Sequence, residues 1–213
     1  MKIIIADDHK IVREGLKNLL EKQSGLNVVA ETKDGLEAVR LVREHLPDLI
    51  IMDITMPGLN GIGAARRIKE VCPTAKIIIL SMHADRRYVL EALKAGASGY
   101  LLKDSAFDEL IQAIKAVFKS KIYLSPDITD VLVRDYLVNE RDGDPTAYSL
   151  LSAREREVLQ LLAEGKSTRQ TADKLSISVK TVETHRQQLM QKLNLHSVAE
   201  LTKYAVREGL TTL

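Results

Sequence analysis

The sequence predicts an α/β domain on a doubly wound parallel five-stranded sheet, followed by a small all-α domain of four helices. Three observations carry that expectation. Unbroken apolar, β-branched runs alternate with helical-period segments through residue 119. The runs end on polar or charged residues, beginning with Asp7 and Asp53. From Leu151 onward the strand-like runs stop and short capped helical segments take over.

The elements follow in order. Lys2-Ile3-Ile4-Ile5-Ala6 reads as a buried strand ending in Asp7-Asp8, and Ile11, Leu16, Leu19 and Leu20 then form a helix face. Val28-Val29-Ala30 is strand-like, and residues 35–46 are helical before Pro47. Leu49-Ile50-Ile51-Met52-Asp53 is the central strand, apolar on both faces, and Met56-Pro57-Gly58 turns the chain away. A helix near 61–71, a strand at 76–81 ending on Ser81, and a helix at 85–95 closed by Gly96 come next. The strand at 99–102 leads to Lys103, and Ser105 opens a helix with Phe107, Leu110, Ile111, Ile114 and Val117 inward.

A chain of 213 residues that is 45% hydrophobic has room for two cores, so we expect domains at 1–120 and 150–213 joined by 121–149. Formal charge supports the division, being +3 over residues 1–125, −4 over 126–149 and +3 over 150–213. Ser125-Pro126-Asp127 is a helix start within the joint, and Asn139–Pro145 reads as a mobile tether. The N-terminus lacks a signal-peptide pattern and no stretch is long enough to span a bilayer, so a cytoplasmic protein is expected. Cys72, the one cysteine, reads as inert.

Adjacent parallel strands would bring Asp7, Asp8 and Asp53 to one edge. Two full charges ~4 Å apart repel by roughly 4 kcal/mol at an effective dielectric of ~20. Such a cluster persists by taking up protons or a hard cation such as Mg²⁺. With the Ser81 hydroxyl and the Lys103 amine at neighbouring strand ends, the set suits a divalent ion beside a phosphoryl group. A lone Asp closing a strand, as at Asp53, is more often a helix or turn cap; within the full set, Ser81 as the start of the next helix and Tyr100 as plain strand packing are the lesser readings.

In the second domain, Ser152-Ala153-Arg154-Glu155, Ser167-Thr168-Arg169-Gln170 and Ser197-Val198-Ala199-Glu200 are capping boxes. Ser178 starts a further helix only three residues after Leu175, which suggests helix-turn-helix. That helix should bury Val179, Val182, Leu189 and Leu193 and show Lys180, Glu183, Thr184, Gln187 and Gln191 outward.

Asp7-Asp8, Asp53 with Met56-Pro57 and Gly61, Ser81, Tyr100 and Lys103 together resemble the signature of a response-regulator receiver domain. Leu151–Leu159, Ala163–Ser167, Ser178–Arg186 and Lys192-Leu193 resemble the LuxR-type DNA-binding domain of NarL/FixJ regulators. The first resemblance implies a flavodoxin-like strand order 2-1-3-4-5 and Asp53 as phosphoacceptor. It also implies Mg²⁺ held by Asp7, Asp8, Asp53 and the backbone carbonyl of Thr55. Lys103 would pair with the phosphate, and Ser81 and Tyr100 would switch. His83 resembles a position that, with Thr55, lines the path of hydrolytic water; it reads equally as a surface histidine. The second resemblance implies that Glu183, Thr184 and Gln187 face base edges while Lys180, Thr181, His185 and Lys192 lie nearer phosphates. By side-chain chemistry, Gln187 suits adenine, Glu183 cytosine and Thr184 a thymine methyl. Implied partners are a sensor histidine kinase, promoter DNA and a second copy of the chain, but no membrane. The only implied catalysis is the receiver's own phosphotransfer and slow autodephosphorylation.

Alternatives are a constitutive DNA-binding protein with a vestigial receiver, or a Mg²⁺-dependent aspartyl-phosphate phosphohydrolase. The latter lacks a second Asp at position 55, which is Thr55. Two departures from the family stand out: Asp104 replaces the frequent Pro after the lysine, and Thr171 replaces a buried Ile.

Overall fold

Strands β1 (Lys2–Ala6), β2 (Asn27–Thr32), β3 (Leu49–Asp53), β4 (Lys76–Ser81) and β5 (Gly99–Leu102) form where the apolar runs predict them. All pair in parallel, in the order β2-β1-β3-β4-β5. A sixth strand, β6 (Tyr123–Leu124), adds to the β5 edge, so the sheet has six strands where five were expected. The structure, a computed structural model, describes residues 1–138 and 150–211. These form two compact units, residues 1–138 apart from Pro57–Asn60, and residues 150–211 with Pro57–Asn60. The tether expected at Asn139–Pro145 lies outside the described residues.

Strand period sorts the sheet residues between two layers. Ile3, Ile5, Leu49, Ile51, Ile78, Leu80 and Leu101 pack with Leu16 and Leu20 of α1 (Lys10–Glu21) and Leu110, Ala113, Ile114 and Val117 of α5 (Ala106–Phe118). Ile4, Ile50, Met52, Ile77 and Ile79 alternate with them and are equally buried. The helices α2 (Gly35–His45), α3 (Gly61–Val71) and α4 (Arg86–Lys94) make up the remaining layer. Each such side chain contributes about 1.5–3 kcal/mol by leaving water.

Caps decide the helix ends. Asp34 accepts from the Leu36 and Glu37 amides at α2, and Asp85 accepts from the Arg87 amide at α4. Ser105 precedes α5 as expected but makes no side-chain cap, because its backbone is already near-helical there. Two residues expected inward are exposed. Ile11 sits in the first turn of α1 with 84% of its surface in solvent. Phe107 is 45% exposed and lies across Gly15, where an added Cβ would come 2.8 Å from its ring. Cys72 is buried.

Beyond β6, the Ser125 amide donates to the Tyr100 carbonyl, and α6 (Pro126–Val138) starts on the Ser125 carbonyl. The segment read as a joint thus begins as an extension of the sheet, with α6 against α4 and β5.

Among the described residues of the second unit run the helices α7 (Ala153–Ala163), α8 (Thr168–Leu175), α9 (Val179–Leu193) and α10 (Val198–Arg207). All three expected capping boxes form, and Ser178 caps α9 by accepting from the Thr181 amide. Ser176, left-handed at φ 53°, ends α8 and makes the turn into α9. Val182 and Leu189 are fully buried and Leu193 partly so, but Val179 is 42% exposed at the first turn, beyond the reach of the core.

Thr171 is fully buried in α8, and its hydroxyl has no hydrogen-bond partner. A buried unsatisfied hydroxyl costs about 1–3 kcal/mol. Thr171→Val keeps the branched shape and removes that hydroxyl. It should stabilise the unit by about 1 kcal/mol, raising its Tm by ~4–8 °C in a calorimetric scan. A fall in Tm would mean that the hydroxyl has a partner in solution.

Candidate functional site

The register of the parallel sheet builds the site. Ala6 pairs with Met52, so the residues that follow them, Asp7 and Asp53, emerge side by side at the carboxyl edge, where open α/β sheets bind ligands. Asp7 is 1% and Asp53 3% exposed. The Lys103 ammonium, delivered by the end of β5, lies 2.9 Å from Asp7 Oδ2 and donates to Asp53 Oδ2 at 2.8 Å. The lysine backbone is fixed in turn, its amide donating to the Ser81 carbonyl.

Burial raises the Asp53 pKa to about 6, with the Lys103 charge opposing and the Asp7 charge adding to the rise. The Thr55 amide also donates to the Asp53 carboxylate and works against the rise. For Lys103, burial lowers the pKa, but the Asp53 and Asp7 carboxylates outweigh it and hold the group above its ordinary value.

Asp7, Asp8, His9 and Asp53 each offer a ligand atom, and the four atoms lie within 4.8 Å of one another. Asp7 Oδ2 and Asp8 Oδ1 are buried atoms without a hydrogen bond. Each has a cationic or imidazole nitrogen at ion-pair distance, Lys103 at 2.9 Å and His9 at 2.7 Å, but lacks hydrogen-bond geometry. Open carboxylate lone pairs crowded in this way fit a hard divalent cation such as Mg²⁺. His9 did not figure among the expected site residues. Its signal was position alone, directly after the acidic pair.

Ser81 and Tyr100 meet on one residue. The Ser81 hydroxyl accepts from the His83 amide at 3.0 Å, and the Tyr100 hydroxyl donates to the His83 carbonyl at 2.7 Å. Both side chains are fully buried, so Tyr100 already points inward. Burial pushes the Tyr100 pKa well above the usual phenol range. The His83 ring stacks on Tyr88 with centroids 4.7 Å apart, and burial lowers its pKa. After Lys103 the chain continues through Asp104 with no cis peptide among the described residues.

Gly61 opens α3 against the backbone of Asp53. Its amide donates to the Ile54 carbonyl, and an added Cβ would collide with the backbone carbonyl oxygen of Asp53.

On α9, Lys180, Glu183, Thr184, Gln187 and Gln191 share one exposed face at helical spacing. Thr181, His185 and Lys192 fall on an adjoining stripe. Thr181 is tied into the N-cap through Ser178, and the Thr184 hydroxyl donates to the Lys180 carbonyl. Lys192 bonds Glu155 at 2.8 Å, the glutamate that also closes the α7 capping box. The His185 Nδ1 is buried without a partner. Arg154 reaches from α7 to the Leu175 carbonyl at the end of α8, fixing the turn before α9.

Comparison with known proteins agrees with this layout. Residues 3–115 match the response regulator receiver domain, and residues 149–205 match the luxR family of bacterial regulatory proteins. The oxygen regulatory protein NreC of Staphylococcus carnosus is 42% identical over 214 residues, covering 99% of either chain. Its counterpart in Staphylococcus epidermidis is 43% identical over 216 residues, with the same coverage. Among solved structures, the Salmonella typhimurium response regulator RcsB is 31% identical over 97% of this chain and 98% of that one, at a TM-score of 0.61. RcsB from Salmonella enterica serovar Typhimurium bound to a promoter in the presence of a phosphomimetic is 30% identical over 99% of both chains, at a TM-score of 0.62.

Two substitutions test the packing of the site. Gly61→Ala gains ~1 kcal/mol of helix propensity but forces the Asp53 carbonyl aside. A net loss of about 1–3 kcal/mol is expected by chemical denaturation. Lys103→Ala leaves buried carboxylates uncompensated and should cost about 3–5 kcal/mol. Millimolar Mg²⁺ should restore part of that loss, read as a rise in Tm of the variant larger than that of the parent.

Proposed function

The chain belongs to the response regulators that join a receiver domain to a LuxR-type DNA-binding domain, and on that premise we propose that a sensor histidine kinase phosphorylates Asp53 to control dimerisation and sequence-specific promoter binding. The observation that carries this reading is the buried Asp7–Lys103–Asp53 bridge at the sheet edge. Asp7, Asp8, Asp53 and the Thr55 carbonyl would hold Mg²⁺. Once bound, the ion supplies charge neutralisation for the phosphoryl oxygens and favours the ionised form of Asp53.

An Asp53 carboxylate oxygen attacks phosphorus in line, the P–N bond of the kinase phosphohistidine breaks, and the imidazole leaves. Lys103 then pairs with the phosphoryl group it was positioned beside. Ser81 gives up the His83 amide to donate to a phosphoryl oxygen, and Tyr100 follows the backbone it holds. Each charge-assisted hydrogen bond contributes about 1.5–3 kcal/mol. Two of them approach the ~5.5 kcal/mol that moves a two-state equilibrium from 1:99 to 99:1. His83 and Thr55 would line the path of hydrolytic water and set the lifetime of the phosphate. Apart from this self-directed transfer and slow hydrolysis, the chain turns over no substrate.

At the other end, α9 enters the major groove with Glu183, Thr184 and Gln187 on base edges. Lys180, Thr181, His185 and Lys192 contact phosphates, which set register. No helix among the described residues is long and apolar enough to cross a membrane. The setting we propose is the cytoplasm.

Acetyl phosphate with Mg²⁺ should place one acid-stable, hydroxylamine-labile mark on the chain and tighten its binding to promoter DNA about tenfold or more in gel shifts. Asp53→Ala should abolish both effects while keeping the basal affinity. Equal DNA binding by parent and variant under phosphorylating conditions would leave only a constitutive DNA-binding protein.

A further inference from the structure

The imidazole beside the acidic pair is used by none of the steps above. His9 stands at the N-cap of α1 in extended conformation, yet its side chain makes no cap hydrogen bond. Its amide donates to Asp7 Oδ1 at 2.8 Å, which folds the residue back over the carboxylates. Its Nδ1 then lies 2.7 Å from Asp8 Oδ1 and 3.2 Å from Asp7 Oδ1. The Lys103 ammonium comes no nearer to it than 3.4 Å and is held instead by Asp53 and Asp7.

We propose that His9 is a ligand in this pocket, giving it a nitrogen donor and a stronger preference for later first-row ions such as Co²⁺ over Mg²⁺ than the oxygen ligands alone would give. The inference rests on the reading of the pocket as a divalent-cation site. Asp7 Oδ2, on a side chain 1% exposed, has the Lys103 ammonium at 2.9 Å but no hydrogen bond, so it keeps lone pairs open toward a metal ion.

Scale and chemistry agree. A six-coordinate shell with ligands at ~2.1 Å is about 4.2 Å across. The four atoms, within 4.8 Å of one another, are gathered on nearly that scale and would close further around a bound ion. The His9 side chain is 62% exposed, so its ring is free to make that adjustment. Mg²⁺ prefers oxygen and keeps water at such positions, whereas later divalent ions gain from imidazole. His9 therefore separates the two classes of ion, whereas Asp7, Asp8 and Asp53 serve both.

The test is calorimetric titration of the full chain with MgCl₂ and CoCl₂, alongside His9→Ala and His9→Gln, with pulsed EPR of the Mn²⁺-loaded proteins. The substitutions should weaken Co²⁺ binding at least about tenfold, the scale that losing even an outer-shell partner costs, and Mg²⁺ by no more than about twofold. The parent should show nitrogen coupling to Mn²⁺, and both variants should lose it. Equal weakening of both ions, or no nitrogen coupling in a parent that binds Mn²⁺, overturns the role of His9. Failure of the parent to bind any of these ions overturns the cation-site reading itself.

Discussion

One ammonium group against two buried carboxylates is the arrangement on which the sheet edge depends. The register that pairs Ala6 with Met52 leaves Asp7 and Asp53 adjacent and almost without solvent. Hydrogen bonds at the opposite end of the two strands anchor that register, the Asp48 amide donating to the Lys2 carbonyl and the Lys2 amide to the Asp48 carboxylate. The fold therefore creates a repulsion it must compensate, and Lys103 does so from β5, across the width of β4. Burial still wins part of the contest, leaving Asp53 with a pKa of about 6. A nearby cation therefore changes the local balance more than it would at an exposed aspartate.

That balance is joined to the backbone through a single residue. Ser81 holds the amide of His83 and Tyr100 holds its carbonyl, so neither hydroxyl can leave without disturbing the same stretch of chain. Tyr100 is tied in the other direction as well. It pairs with Leu124 of β6, and its carbonyl accepts from the Ser125 amide at the start of α6. Three hydrogen-bonded steps thus run from the strand-end hydroxyl to the helix that leaves the sheet.

Long apolar runs made the sheet legible, since Leu49–Met52 and Ile77–Leu80 are buried whichever face they present. The caps were legible for a local reason, a short polar side chain three residues before its amide partner. A two-residue strand has no period to read, which is why Tyr123–Leu124 was absorbed into the joint. Ile11, Phe107 and Val179 were misread because helical period marks a face but not where the helix outruns its core. The acidic constellation was legible from strand ends alone. His9 was not, because an imidazole after two aspartates has a role only once folding brings its ring over their oxygens.

Helix α9 shows where residue lists lose energetic meaning. Lys192 was read as a phosphate contact, yet its ammonium is bonded to Glu155. Burial tends to raise the Glu155 pKa, but Lys192 and the Ser152 cap together bring it below the usual range. The pair is one-sided, for the lysine is 46% exposed while the Glu155 side chain is only 4% exposed, so it is worth more than the about 0–1 kcal/mol of a fully exposed pair. Glu155 would keep its bond from the Ser152 amide after the lysine left. Releasing Lys192 toward a phosphate would leave a buried carboxylate on that bond alone, so a phosphate contact by this lysine competes with the ion pair. What limits a lone helical unit is its net charge of +3 over residues 150–213, since binding strength scales with the phosphates neutralised. On the reading proposed above, two such units on paired half-sites would double that number, so control over pairing would be control over occupancy.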